Sequence, residues 1–121
     1  MEEINEKYEK LVQANPDDAQ VYYDWGDALG EAGEYAQAAE KFRKAVELKP
    51  DFSKAYNLLG VVLEYMKEYE QACENYRKAI KLDPNYANAY RNLGDTLTDM
   101  EQYEQACEMY EKAVKIKPDC T

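Results

Sequence analysis

The chain has 121 residues, with 25 acidic against 15 basic side chains, a net charge of −10 and 45% hydrophobic content. That hydrophobic share in a chain of one-domain length excludes a disordered tail, and the negative sign opposes nonspecific binding to nucleic acid or anionic membranes. Histidine is absent, which removes the commonest general base and metal ligand.

In chain order, Ile4, Tyr8, Leu11 and Val12 give the first segment one apolar face, and Pro16 closes it. Residues 1–18 are therefore read as a capping helix docked on the first of three units. These units span 19–52, 53–86 and 87–120, because Pro16, Pro50, Pro84 and Pro118 stand 34 residues apart and no other proline occurs. Tyr22, Tyr56 and Tyr90 keep the same step, as do Gly26, Gly60 and Gly94, and Tyr35, Tyr69 and Tyr103. A period of this length marks a stacked solenoid, in which each unit buries its apolar face against its neighbours.

Each unit reads as two helices joined by a short turn. In the second, Ala55, Tyr56, Leu59, Val62, Leu63 and Met66 recur at helical spacing, and Tyr69, Ala72, Cys73, Tyr76, Ala79 and Ile80 do so again. Gly33 occupies the first turn, where a left-handed residue ends a helix, whereas Lys67 and Glu101 stand there in the other units and predict either slight strain or a different closure. Asp17, Asp51 and Asn85 come directly after the prolines and are expected to cap the next helices. Gly26, Gly60 and Gly94 predict close helix approach, with Ala38, Ala72 and Ala106 opposite them and Phe42, Tyr76 and Tyr110 filling the space between. Ala45, Ala79 and Ala113 are assigned to the contact with the next unit. Glu40 with Lys44, Glu74 with Lys78 and Glu108 with Lys112 are expected to form ion pairs on the solvated faces.

These columns resemble the tetratricopeptide repeat. The first unit runs Tyr22, Trp25, Gly26, Leu29, Ala38, Phe42, Ala45, Pro50; the second carries Tyr56, Leu59, Gly60, Leu63, Ala72, Tyr76, Ala79, Pro84; the third carries Tyr90, Leu93, Gly94, Leu97, Ala106, Tyr110, Ala113, Pro118. The resemblance implies an all-α fold, a right-handed superhelical solenoid of antiparallel helix pairs. It also implies that the first helix of each pair lines a concave groove for a protein or peptide partner.

Placed on that geometry, the first unit contributes Tyr23, Asp24, Asp27 and Glu31 to the groove. The second contributes Lys54, Asn57, Leu58, Val61, Glu64 and Tyr65, and the third Asn88, Arg91, Asn92, Asp95, Thr98 and Asp99. Acids outnumber bases, and Tyr23 and Tyr65 offer rings for a guanidinium or an apolar anchor, so a basic or amphipathic segment is the expected ligand. The bland alternative is that the acids keep a wet concavity soluble. The chaperone-tail clamp of the family needs lysine and asparagine where this chain has Tyr23 and Asp27, asparagine where it has Leu58, and lysine and arginine where it has Asn88 and Asn92. None matches, so that ligand class is rejected. The asparagine ladder of glycosyltransferase arrays is held only by Asn92, with Asp24 and Leu58 in the other places.

Chemistry of other kinds finds little support. Glycine-rich phosphate loops, nucleophile elbows and paired-cysteine zinc patterns are missing from the sequence, so no enzyme, cofactor or metal is expected. Cys73, Cys107 and Cys120 have no metal or redox spacing and read as small packing residues in a reducing compartment. The run from Leu58 to Leu63 falls far below the roughly 20 residues of a membrane span, and the first residues are too acidic for a secretory signal. A cytoplasmic setting is expected. The rival to a groove binder is an assembly element that stacks end to end through Tyr110, Ala113 and Val114, which are expected to be partly bare; the chain also reads as a segment of a longer array attached to a separate functional domain.

Overall fold

A computed structural model describes residues 2–118. Its helices are α1 (Glu2–Ala14), α2 (Ala19–Glu31), α3 (Tyr35–Leu48), α4 (Ser53–Tyr65), α5 (Tyr69–Leu82), α6 (Ala87–Asp99) and α7 (Tyr103–Ile116). Helices α2 and α3, α4 and α5, and α6 and α7 form antiparallel hairpins, each stacked on the next, and α1 docks on α2. The fold is an all-α, right-handed superhelical solenoid. Cys120 and the end of the third unit lie outside the described residues.

The turns close as the backbone demands. Gly33, Lys67 and Glu101 take φ of 82°, 63° and 62°, the left-handed conformation. Glu34 N donates to the Leu29 carbonyl, Glu68 N to Leu63 and Gln102 N to Leu97, at 2.8–2.9 Å, so the last carbonyls of each first helix find partners. Lys67 and Glu101 each carry a cost of about 1–2 kcal/mol that Gly33 avoids.

Helix starts differ from the sequence expectation. Asp18, not Asp17, caps α2, accepting from Gln20 N at 3.0 Å. Phe52 and Tyr86 take the cap positions of α4 and α6 without any side-chain cap bond, so Asp51 and Asn85 do not serve there. Phe52 is buried with Ala19, Ala45 and Ala55 in a small cluster between hairpins, and this apolar anchoring fixes where α4 begins.

The seam inside each hairpin also corrects the sequence reading. The groups opposite the mid-helix glycines are rings, not alanines. A Cβ on Gly26 would lie 2.9 Å from Phe42, one on Gly60 2.5 Å from Tyr76, and one on Gly94 2.8 Å from Tyr110. Glycine is required because the ring rests directly on the backbone of the partner helix. The alanines pack elsewhere in the core, where Ala38 and Ala72 are fully buried.

Helix α1 caps the stack through aromatic contacts. Tyr8 stacks on Trp25 at 6.1 Å, Asn5 accepts from Trp25 Nε1 at 2.9 Å, and the Lys41 ammonium sits 3.9 Å from the Trp25 ring centre. Leu11, expected on the docking face, is exposed, whereas Ile4, Tyr8 and Val12 pack on the core.

The three expected glutamate–lysine pairs do not form at ion-pair distance. Lys44 pairs with Glu47 at 3.7 Å, while Lys78 and Lys112 lie over the rings of Tyr56 and Tyr90 at 5.7 and 5.9 Å. Exposed pairs are worth well under 1 kcal/mol, so a ring nearby competes easily for a long side chain. Cys73 is buried as expected. Cys107 is exposed, because no described helix covers that side of α7.

Candidate functional site

Helices α2, α4 and α6 lie side by side along the stack, which brings residues 34 apart in sequence onto one surface. Two cavities adjoin there, sharing Val61 and Tyr65. The first, of about 340 Å³, lies between α2 and α4 with Asp27 and Glu31 on one side and Leu58, Val61 and Tyr65 on the other. The second, of about 270 Å³, lies between α4 and α6 and is lined by Glu64, Asn92, Asp95 and Asp99 besides the shared pair. Both linings contain carboxylates and no lysine or arginine.

Gly30 belongs to the lining of the first cavity. A Cβ there would stand 3.6 Å from Val62, so the floor is an apolar surface of Val62 and Phe42. Its rim is a pair of tyrosines, Tyr35 and Tyr65, stacked face to face at 4.8 Å with an interplanar angle of 2°. Tyr65 remains 64% exposed, so most of its ring is available to a ligand. Burial, then the neighbouring charges of Glu31 and Asp24, push the Asp27 carboxyl above its ordinary range.

The second cavity is built from held polar groups. Tyr76 Oη and Thr96 Oγ1 each donate to Glu64 Oε1 at 2.9 Å, which fixes that carboxylate and leaves its other oxygen unused by them. Burial pushes the Glu64 carboxyl up, the two hydrogen bonds oppose that shift, and Asp99 and Asp95 add to it. Tyr110 donates to Asp95 at 2.5 Å. Burial, then the carboxylates they donate to, push the Tyr76 and Tyr110 hydroxyls up. The rings that rest on Gly60 and Gly94 therefore carry hydroxyls that hold groove acids. Phe42, in the equivalent place of the first hairpin, carries none.

Several residues expected in the groove do other work. Asn57 is only 5% exposed: it accepts from Asn92 at 3.1 Å and donates to Tyr86 at 3.3 Å, tying α4 to α6. Tyr23 stacks on Phe52 at 4.9 Å and meets Phe42 edge-on, and burial pushes its hydroxyl up to about 12, so its ring is committed to packing. Asp24 accepts from Gln20 at 2.9 Å, and Arg91 donates to Asn88 at 2.6 Å. Lys54, Asn88 and Thr98 line neither cavity. Sequence reasoning missed Gly30, Tyr35, Tyr76, Thr96 and Tyr110; the signal for Gly30 is its departure from the column it shares with Glu64 and Thr98. Ala113, expected to be bare, is 5% exposed, while Val114 is 52% exposed. Among the described residues, no group of three or more Cys, Asp or Glu side chains is placed to hold a metal ion. No described helix is long and apolar enough to cross a membrane.

Stacked helical hairpins with a groove along their first helices define a repeat solenoid of the protein-interaction type. The chain belongs to the tetratricopeptide repeat family: a "Tetratricopeptide repeat" model matches residues 51–119 and a "TPR repeat" model residues 26–66. This is a non-catalytic, protein-interaction fold. Among solved structures, a crystal structure of MamA superposes with a TM-score of 0.89 at 27% identity, covering 93% of this chain and 66% of that one. A MamA RS-1 double mutant gives 0.84 at 30% identity, covering 92% and 62%. The chain thus spans 62–67% of the MamA chains it matches. The first tetratricopeptide domain of Spaghetti (RPAP3), bound to the HSP90 peptide SRMEEVD, gives 0.82 at 21% identity over 84% of this chain and 80% of that one, and shares the fold. No curated protein sequence matches the chain.

Proposed function

We propose that the chain is an interaction scaffold whose groove holds an extended partner segment rich in basic and apolar residues. The observation that carries this reading is the pair of adjoining cavities, which together present Asp27, Glu31, Glu64, Asp95 and Asp99 with no basic residue in either lining. A cation entering there relieves the mutual repulsion of these neighbouring carboxylates, of which Glu64 is half-buried, and apolar side chains meet Leu58 and Val61. A peptide ending like SRMEEVD would instead bring its carboxylates against Asp27, Glu64 and Asp95.

The test is fluorescence anisotropy with a labelled peptide alternating leucine and lysine, against wild type and the Asp27→Asn, Glu64→Gln, Asp95→Asn triple variant. Neutralisation keeps side-chain volume, and circular dichroism checks that folding is preserved. The expected result is at least a tenfold loss of affinity and a shallower salt dependence. Equal affinity and equal salt dependence in both proteins would discard the reading.

A second reading, assembly through the last hairpin, is favoured by the exposure of Tyr103 (59%) and Val114 (52%). It requires concentration-dependent oligomers in sedimentation, abolished by Val114→Glu.

A further inference from the structure

Resting on the groove reading, we propose that the cavity between α2 and α4 is a pocket for one arginine side chain of the partner segment. At about 340 Å³ it lies at the small end of ligand pockets, and its parts match the parts of an arginine in order. The part of the lining formed by Gly30, Val62 and Phe42 is apolar and suits the methylene stem. The exposed ring of Tyr65, backed by Tyr35, offers a rigid aromatic surface to a planar guanidinium. Asp27 and Glu31 stand one helical turn apart on α2, so a planar fork of five N–H donors can engage both carboxylates while its face lies on the Tyr65 ring, a combination that a compact ammonium with three donors and no plane does not offer.

Charge complementarity decides the occupant. Asp27 and Glu31 line the cavity together with no base, and burial, then repulsion from Glu31 and Asp24, disfavours the ionised form of Asp27. An apolar or anionic side chain would leave that repulsion in place; a cation removes it. Because Val61 and Tyr65 are shared with the second cavity, the partner backbone that delivers this arginine continues past Tyr65 toward Glu64 and Asp95. The arginine is then the anchor, and the second cavity takes a subsequent basic residue.

The experiment uses a labelled Ser-Leu-Xaa-Leu-Lys-Leu-Ser peptide in which Xaa is arginine, lysine or citrulline, the last being a neutral analogue of arginine's shape. Affinities are measured by anisotropy for wild type, Tyr65→Ala and Gly30→Leu, with circular dichroism to check folding. Tyr65 is largely exposed, so its variant keeps the test decisive if Gly30→Leu does not fold. The proposal expects citrulline to weaken binding at least tenfold and lysine at least threefold in wild type. It also expects the arginine advantage to shrink to under twofold in both variants. Equal binding of arginine and citrulline, or an arginine advantage that survives Tyr65→Ala, overturns the pocket. If in that case Glu64→Gln still weakens the same peptides, the groove reading stands without it. No salt-dependent binding of any of the peptides would overturn both.

Discussion

The first and second hairpins share one backbone plan and use it differently. In α2–α3 the ring resting on the mid-helix glycine is Phe42, the groove position one turn later is Gly30, and the turn residue is Gly33; in α4–α5 the same places hold Tyr76, Glu64 and Lys67. The first combination leaves an apolar floor under an aromatic rim, with carboxylates only on α2. The second puts a carboxylate into the corresponding lining and supplies the hydroxyl that holds it. Repetition thus fixes the scaffold while single columns set the character of each stretch of groove, which is why a repeat array can present several distinct subsites along one ligand.

Exchanging residues between the hairpins breaks or sharpens this comparison. The largest effect is expected at the seam. Gly60→Ala places a methyl 2.5 Å from the fully buried Tyr76 ring, and urea unfolding should show a loss of about 1–3 kcal/mol. Tyr76→Phe gives the second hairpin the ring of the first and removes a donor from Glu64. A loss of about 1–2 kcal/mol is expected, together with a further rise of the Glu64 pKa measured by side-chain carboxyl NMR.

The pH dependence comes from the raised Glu64. Between the ordinary glutamate value of 4.5 and the higher folded value, the native chain holds a proton that the unfolded chain has released. Stability from this group therefore falls as pH rises through that window, and the cost is complete above it. Glu64→Gln should melt at a higher temperature than wild type near neutral pH, and the advantage should disappear once the pH drops below the ordinary glutamate range.

The smaller exchanges raise stability. Lys67→Gly gives the second turn the residue of the first and relieves a φ of 63°, for a gain of about 0.5–1 kcal/mol in thermal unfolding. Gly30→Ala removes a helical glycine where a Cβ meets Val62 at 3.6 Å and Ala38 at 3.9 Å, both ordinary contacts. The expected gain is about 0.5 kcal/mol, the opposite sign to the same substitution at Gly60.

Much of the architecture was legible in the residue pattern. Helix pairs, turns at Gly33, Lys67 and Glu101, and burial of Phe42 and Tyr76 all derive from periodicity and from the conformations that proline and glycine permit. The site was legible in part. Asp27, Glu31, Glu64, Asp95 and Asp99 do line cavities, but Asn57 and Tyr23 proved to be packed, and Tyr35 went unplaced because it belongs to a second helix. A column of residues identifies a position on a helix; it does not say whether a neighbouring side chain covers it.

By itself the sequence determined the unit, its length and the helical class, because an amphipathic period of 3.6 residues and the torsional limits of proline and glycine act locally. Tertiary structure alone decided that Tyr35 of α3 stacks on Tyr65 of α4 and that Tyr76 reaches across its hairpin to Glu64. It also decided that Gly30 lines a cavity whereas Gly60 closes on a ring. Such contacts join separate helices, and their distances depend on how the hairpins stack and on which rotamers close packing permits.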